Sequence, residues 1–184
     1  MSPSHPPSNA RLIVGVSGSP GSLTALARAA EEARRRRAEL WPVLAWEPPD
    51  ATLAARKSST AAALTEDWER HARERLLKAL RGMFGSTEFG LAGQALITRG
   101  VPGPALVRIA DRDTDVLVIG AGRRGRLRRA LWPSVSRHCL AHATCPVLAV
   151  PPSPLQATLD TAHRRNLLHL RLDVRHIEGQ CQTP

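Results

Sequence analysis

The segment from Asp115 to Ser136 carries the residues whose types and spacing could do chemistry. Its apolar run, Val116 to Ile119, predicts a buried strand that leads into a loop rich in glycine and arginine, and Ser134 then opens a helix. A glycine-rich loop can expose backbone N–H groups to a phosphate, and a helix start adds a partial positive charge. The segment therefore predicts anion or nucleotide binding and not a bond-breaking step.

This loop matches one nucleotide motif only formally. The run Gly120-Ala-Gly122-Arg-Arg-Gly125 spells G-x-G-x-x-G after a strand, but no Asp or Glu follows at about 20 residues to hold a ribose. NAD and FAD are therefore disfavoured. The pattern G-x-x-x-x-G-K-[ST] does not occur, which excludes a P-loop NTPase at the level of the motif. A tight turn that needs no ligand remains the alternative interpretation of the glycines.

Ser17 is a candidate nucleophile, but the residues around it argue against a catalytic role. Gly15-Val-Ser17-Gly-Ser19 nearly spells a nucleophile elbow, but Ser stands at the last position instead of Gly. No later Asp and His are evidently placed to activate the hydroxyl. We predict a turn residue here and no catalytic residue in the chain.

A second constellation, of histidines and cysteines, could in principle hold zinc. His138 and His142 are four residues apart, with Cys139 and Cys145 nearby. The spacing matches no recurrent zinc signature, so we predict a helix that packs against the sheet and no metal.

Length and composition limit the remaining classes. The 184 residues suffice for one domain with an appendage. No apolar run approaches the roughly 18 residues of a membrane span, and residues 1–9 lack the basic and apolar regions of a signal peptide. Three cysteines are too few and too odd a set for a disulfide framework. These features predict a cytoplasmic protein with no membrane partner.

The charge is strongly positive, with 26 Lys and Arg against 16 Asp and Glu and a net charge of +10. It concentrates in Arg34 to Arg37 and in the arginines of 123–129. A solvated helix face together with a composition bias toward arginine is the favoured interpretation of this charge, and attraction to a polyanion or phosphate is the alternative. Aromatic residues make up only 3%, without tyrosine, so bases of a single strand find no stacking ladder. Nucleic-acid binding is therefore disfavoured.

Hydrophobic patterning predicts strands that alternate with helices. The strands are expected at 11–17, 39–46, 92–98, 115–120 and 146–150, and the helices after Ser22, which would cap the first, and at 59–81, 102–112 and 134–142. This order predicts a doubly wound α/β fold, a parallel sheet covered on both faces. The apolar strands Val116 to Ile119 and Val147 to Val150 fit central positions. Ligands of such sheets bind where the strand order reverses, which places the site between the loops after strands one and four.

Three segments are predicted along the chain: a disordered N-terminus at 1–10, the domain at 11–151 and an extension of uncertain order at 152–184. In the extension, 155–166 could form a helix, and apolar residues alternate with polar ones over 168–174 as in a strand.

Taken in order, the segments resemble the universal stress protein family over about residues 10–151. The resemblance is carried by Ile13-Val-Gly-Val-Ser-Gly-Ser-Pro20, Ala29-Ala-Glu-Glu-Ala-Arg-Arg-Arg-Arg-Ala-Glu-Leu40, Trp46-Glu-Pro-Pro49, Gly100-Val-Pro102, Asp115-Val-Leu-Val-Ile-Gly120, Ser134-Val-Ser136 and Ala143-Thr-Cys-Pro-Val-Leu-Ala-Val-Pro151. It implies a three-layer, Rossmann-like fold with a five-stranded sheet of order 3-2-1-4-5. It also implies a homodimer through the last strand, Pro146 to Val150.

The resemblance also implies where ATP would bind. Members that bind ATP share a motif of Gly, two residues, Gly, nine residues, Gly, then Ser or Thr. Gly120 and Ser134 match it, whereas Arg123 and Pro133 replace the two middle glycines. Pro133 has no N–H to offer a phosphate. Such members usually carry an acidic residue at the end of the first strand, where this chain has Ser17.

We therefore predict a stress-response module with an eroded ATP site and no efficient catalysis. ATP is the candidate ligand, and the arginines of the loop could compensate for the lost glycines. A dimeric interaction protein without a nucleotide is the alternative, followed by a basic nucleic-acid-associated protein. The predicted binding residues are Ser17, Val43 (through its backbone), Gly120, Gly122, Arg123, Gly125, Ser134, Val135 and Ser136.

Overall fold

The computed structural model describes residues 10–48, 59–86, 90–121 and 134–153, with the side chains of 59–64 left out. The elements in these ranges are β1 (Arg11–Gly15), α1 (Pro20–Arg36), β2 (Glu39–Trp46), α2 (Ser59–Phe84), β3 (Leu96–Arg99), α3 (Pro102–Ile109), β4 (Val116–Gly120), α4 (Val135–His142) and β5 (Val147–Val150). The predicted N-terminal segment and nearly all of the predicted extension lie outside the described residues, so both remain predictions.

The five strands form one parallel sheet in the order β3-β2-β1-β4-β5, which confirms the predicted fold class and strand order. Strand β1 is central, since Ile13 lies opposite both Trp41 of β2 and Leu117 of β4. The strand order therefore reverses between β1 and β4, and their C-terminal ends meet at one edge of the sheet.

One placement from the sequence is wrong. Val147–Val150 was expected at a central position, but β5 pairs with β4 alone and forms an edge of the sheet, with Ala149 exposed. An apolar run of four residues cannot distinguish a central strand from an edge strand covered by helices on its faces.

Helices cover both faces of the sheet because side chains alternate along each strand. Leu12 and Val14 of β1 point into a core shared with α1 and α2, whereas Ile13 points into a second core. Leu106 of α3 and Cys139 of α4 help to fill this second core. Double coverage explains why the central strands are continuous apolar runs.

The N-cap of helix α1 lies three residues before the predicted cap. Ser19, not Ser22, is the N-cap: its Oγ accepts a hydrogen bond from the Ser22 N–H at 3.3 Å, and Pro20 occupies the first turn. The Ser22 hydroxyl instead donates to the Ser19 carbonyl at 2.8 Å. Arg37 ends the helix with a left-handed φ of 53°.

Other boundaries shift by a few residues. Strand β3 begins at Leu96 instead of residue 92, and α3 ends at Ile109 instead of residue 112, whereas α2 continues to Phe84. Gly93 forms a bridge to Leu40 before β3 begins, and its φ of 130° leaves no room for a Cβ beside the Leu40 backbone. Within the described ranges, no helix combines the length and apolarity needed to cross a bilayer.

Candidate functional site

The loops after β1 and β4 meet at the carboxyl edge, which is the edge of the sheet where the strands end. Gly120 closes β4 directly against the start of α1: a Cβ built at Gly120 would lie 2.6 Å from the Gly21 carbonyl oxygen and 3.4 Å from the Ser22 nitrogen. Only glycine permits this approach without displacing backbone. Gly120 therefore serves packing between β4 and α1, whatever else it contacts.

Ser136 ties the start of α4 back to the end of β4. Its Oγ donates to the Gly120 carbonyl oxygen at 3.0 Å. Ser134 is the N-cap of α4, and its Oγ accepts a long hydrogen bond of 3.5 Å from the Arg137 N–H. Val135 follows as the first helical residue. The segment 122–133 connects β4 to α4 in the sequence, and its residues, among them Gly122, Arg123, Gly125 and Pro133, lie outside the described residues.

Ser17 lies exposed in the turn between β1 and α1. Its hydroxyl donates to the Ser19 Oγ at 2.9 Å, and its N–H donates to the Ser22 Oγ at 3.2 Å. Gly18 supports the turn with a φ of 77°. In the described ranges, the Ser17 hydroxyl has neither an imidazole nor a carboxylate partner. The geometry fits the predicted turn residue.

Val43 lies within β2, opposite Gly15, the last residue of β1. It is 1% exposed, and its carbonyl oxygen accepts a hydrogen bond from the Val16 N–H at 2.8 Å. Strand β2 continues for three more residues to Trp46. The hydrogen bond from the Val16 N–H joins Val43 to the residue before Ser17, and the predicted backbone contact with an adenine stays a prediction.

Arg75 was not predicted for this site. From α2, its Nη2 donates to the Ser17 carbonyl oxygen at 2.7 Å, across 58 residues of sequence. The residues three and four positions from Arg75 are His71, Ala72, Lys78 and Ala79, so the helix supplies no acidic neighbour at pairing distance. This absence is the one signal in the sequence that distinguishes Arg75 from the paired arginines of α2.

The histidines and the one cysteine of α4 serve its packing, and Cys145 lies between α4 and β5. The Cys139 side chain is buried, with Sγ 3.9 Å from the Gly103 carbonyl oxygen, and burial raises the pKa of its thiol to about 11. Burial also raises the pKa of Cys145. The rings of His138 and His142 stack at 4.2 Å, and His138 packs on Gly103 of α3. The described part of the chain holds no group of three or more side chains arranged for a metal ion.

Comparisons with known proteins agree with this architecture. The model of the universal stress protein family matches residues 9–151. A universal stress protein in complex with cAMP is 26% identical, with a TM-score of 0.50 over 79% of this chain and 99% of that one. A family member from Burkholderia pseudomallei (23% identity, TM-score 0.55, 81% and 100% covered) and UspA from Lactobacillus plantarum (18%, 0.57, 77% and 97%) share the fold.

Among curated proteins none matches the chain. The family model spans far more than half of the sequence, and the observed sheet has the strand order that the resemblance implies. The chain belongs to the universal stress protein family.

Proposed function

We propose that this protein is a stress-response module that binds an adenine nucleotide at the carboxyl edge, between the ends of β1 and β4. The hydrogen bond from Ser136 to the Gly120 carbonyl carries the proposal. It holds the start of α4 beside the end of β4, so that the positive end of the helix lies at the carboxyl edge. The structure with cAMP, 26% identical to this chain, supports an adenine nucleotide as the ligand class.

The two serines of α4 would then do different work. Ser136 uses its one proton on Gly120 and so positions the helix. Ser134 accepts from the Arg137 N–H and keeps its own proton to donate to a phosphate oxygen. Backbone N–H groups of 122–126 and Arg123 would supply further donors, whereas Pro133 can supply none. The site is eroded because it lacks the backbone N–H that a glycine at position 133 would supply, and we expect weaker ATP binding for that reason.

Efficient hydrolysis is not part of this function. A general base must lie within about 2.6–3.2 Å of the proton that it removes. Within the described residues, the recorded partners of the Ser17 and Ser136 hydroxyls are the Ser19 hydroxyl and N–H and the Gly120 carbonyl oxygen, and none of these accepts a proton at neutral pH.

We also propose a cytoplasmic homodimer through β5. Its outer side pairs with no described strand, and Leu140 of the adjacent α4 is 59% exposed. An unpaired apolar edge is a template for a second copy of the same strand.

Isothermal titration calorimetry tests the nucleotide proposal with ATP and cAMP on the full chain. Ser134→Ala is expected to weaken binding, whereas Thr144→Ala removes an exposed hydroxyl beyond the far end of α4 and should leave it unchanged. Restoring the family pattern with Ser17→Asp, Arg123→Gly and Pro133→Gly should strengthen ATP binding. The nucleotide proposal would be overturned if neither ligand, at millimolar concentration, gave a heat of binding or shifted the melting temperature of the protein.

Native mass spectrometry of the full chain tests the homodimer, because it reports the number of subunits.

A further inference from the structure

The turn at the end of β1 presents a cation and two hydroxyls to solvent. Arg75 binds the Ser17 carbonyl oxygen at 2.7 Å, and the hydroxyls of Ser17 and Ser19 lie 2.9 Å apart. All three residues are exposed. The carbonyl oxygen is neutral, and within the described residues Arg75 forms no ion pair with a carboxylate. The guanidinium therefore keeps its full charge at this turn.

The position of this cation relative to the proposed nucleotide decides what it can contact. If phosphates lie at the start of α4 beside Gly120, the neighbouring strand end is that of β1, about 4.8 Å away in a sheet. That step is comparable to the length of a ribose. A nucleotide whose 5′ phosphate is held at β4 and whose ribose extends toward β1 brings its sugar hydroxyls to the turn of Ser17.

We propose that Arg75, with Ser17 and Ser19, selects an adenine nucleotide whose ribose carries a phosphate on its 2′ or 3′ oxygen over one whose ribose hydroxyls are free. The proposal rests on the nucleotide function above. A free ribose diol is neutral and is matched best by a carboxylate that accepts its protons. A cation beside a hydroxyl donor matches an anion instead, through charge-assisted hydrogen bonds.

No rearrangement is needed for this contact. A guanidinium has five N–H donors in a planar fork, and one of them suffices for the Ser17 carbonyl. The remaining donors can serve a phosphate while Arg75 stays on α2. An opposing charge at this edge is that of the exposed Glu47, which follows β2, one strand further from the proposed phosphate position at β4. The charge at this turn is therefore set by Arg75 more than by Glu47, because Arg75 is hydrogen-bonded to Ser17 itself.

Calorimetry with two ligands that differ by one group tests the selection. Adenosine 3′,5′-bisphosphate and AMP share the base and the 5′-phosphate, and the 2′,5′-bisphosphate serves as a third ligand. We expect at least one bisphosphate to bind the wild-type protein about tenfold more tightly than AMP, the size of one charge-assisted contact. Arg75→Gln should reduce that ratio to near one, with little change for AMP.

Arg73→Gln is the matched control. Arg73 lies on the same helix, is exposed and pairs with Glu69, so the variant removes the same charge away from Ser17. It should leave the ratio of affinities unchanged, which separates Arg75 from the general positive charge of the protein. Circular dichroism confirms that both variants are folded.

The outcomes separate the two proposals. Equal affinity of the wild-type protein for AMP and both bisphosphates would overturn the selection and leave the nucleotide site standing. An equal loss for every ligand in Arg75→Gln would reduce Arg75 to a residue that positions the turn, which also overturns the selection. No binding of any ligand would remove the nucleotide function and this inference together.

Discussion

One arginine lies where the strands of the sheet begin and another where they end, and the surroundings of these two arginines are opposite in kind. At the amino edge, where the strands begin, Arg11 donates from Nε and Nη2 to the two oxygens of Asp115 at 2.8 and 2.6 Å, and Asp115 is fully buried. At the carboxyl edge, Arg75 is exposed and bonds a neutral carbonyl oxygen. At the amino edge the charge of Arg11 is paired with a buried carboxylate, whereas at the carboxyl edge the charge of Arg75 is exposed to solvent.

The amino edge is also closed around its charge. Arg11 reaches Asp111 at 2.5 Å and lies 4.7 Å from the centre of the Trp41 ring. Asp115 further accepts the Arg112 N–H at 3.0 Å. Hydrogen bonding to Asp115 raises the pKa of Arg11 above its ordinary value, against the opposing effect of burial. A buried, fully bonded ion pair serves the fold, whereas the open edge retains donors that a ligand can use.

Breaking the buried pair should have the largest effect on stability. Asp115→Asn leaves the Arg11 guanidinium, whose side chain is only 6% exposed, without its buried counter-charge. Removing one partner of such a pair costs about 3–5 kcal/mol. Urea denaturation should show this loss in the free energy of unfolding. Asp111→Asn is the control, because that carboxylate is 66% exposed and should matter much less. Similar losses in the two variants would contradict the contrast between buried and exposed partners.

The next effect concerns the carboxyl edge. Gly120→Ala places a Cβ within 2.6 Å of the Gly21 carbonyl oxygen, so β4 and α1 must separate at the start of the proposed site. We expect a loss of about 1–3 kcal/mol in the free energy of unfolding and a loss of nucleotide binding. Gly21→Ala adds the same methyl group where no atom lies within 4 Å and should retain both properties. Retained binding in Gly120→Ala would show that the close contact is not part of the site.

The sequence predicted more of the fold than of the site for a physical reason. Strand β2 was placed at its observed ends, because alternation of apolar runs and turns is a local signal. The contact of Arg75 with Ser17 joins residues 58 apart, and the exposure of β5 depends on which strands surround it. Both follow from tertiary packing, which no local pattern in 11–17, 59–81 or 146–150 encodes. The N-cap was missed because Ser17, Ser19 and Ser22 are all competent caps by type.

A smaller effect is expected for the tether between α4 and β4. Ser136→Ala removes the hydrogen bond to the Gly120 carbonyl, which costs about 1 kcal/mol. The released helix start should bind nucleotide more weakly, as calorimetry would show. Thr144→Ala is the control for the loss of one exposed hydroxyl. Full affinity in Ser136→Ala would mean that the loop keeps its place without the tether.

The smallest expected effect is a change, as the pH falls, in how much the arginine contacts at the two edges contribute to the free energy of unfolding. The hydrogen bond from Arg11 lowers the pKa of Asp111 below its ordinary value. The folded state therefore holds the charged carboxylate more strongly than the unfolded chain does. This contribution is complete above the ordinary pKa of an aspartate and is lost as the pH falls through the lowered pKa.

The difference in free energy of unfolding between wild type and Asp111→Asn should therefore shrink as the pH falls through that window. Because the carboxylate is exposed, 1 M salt should reduce the difference at neutral pH. Arg75→Gln provides the contrast: its described partner is a carbonyl oxygen that does not titrate, so its difference from wild type should stay constant over the same pH range. An acid-dependent difference for Arg75→Gln would place a carboxylate beside Arg75 and would remove the uncompensated cation on which the comparison of the two edges depends.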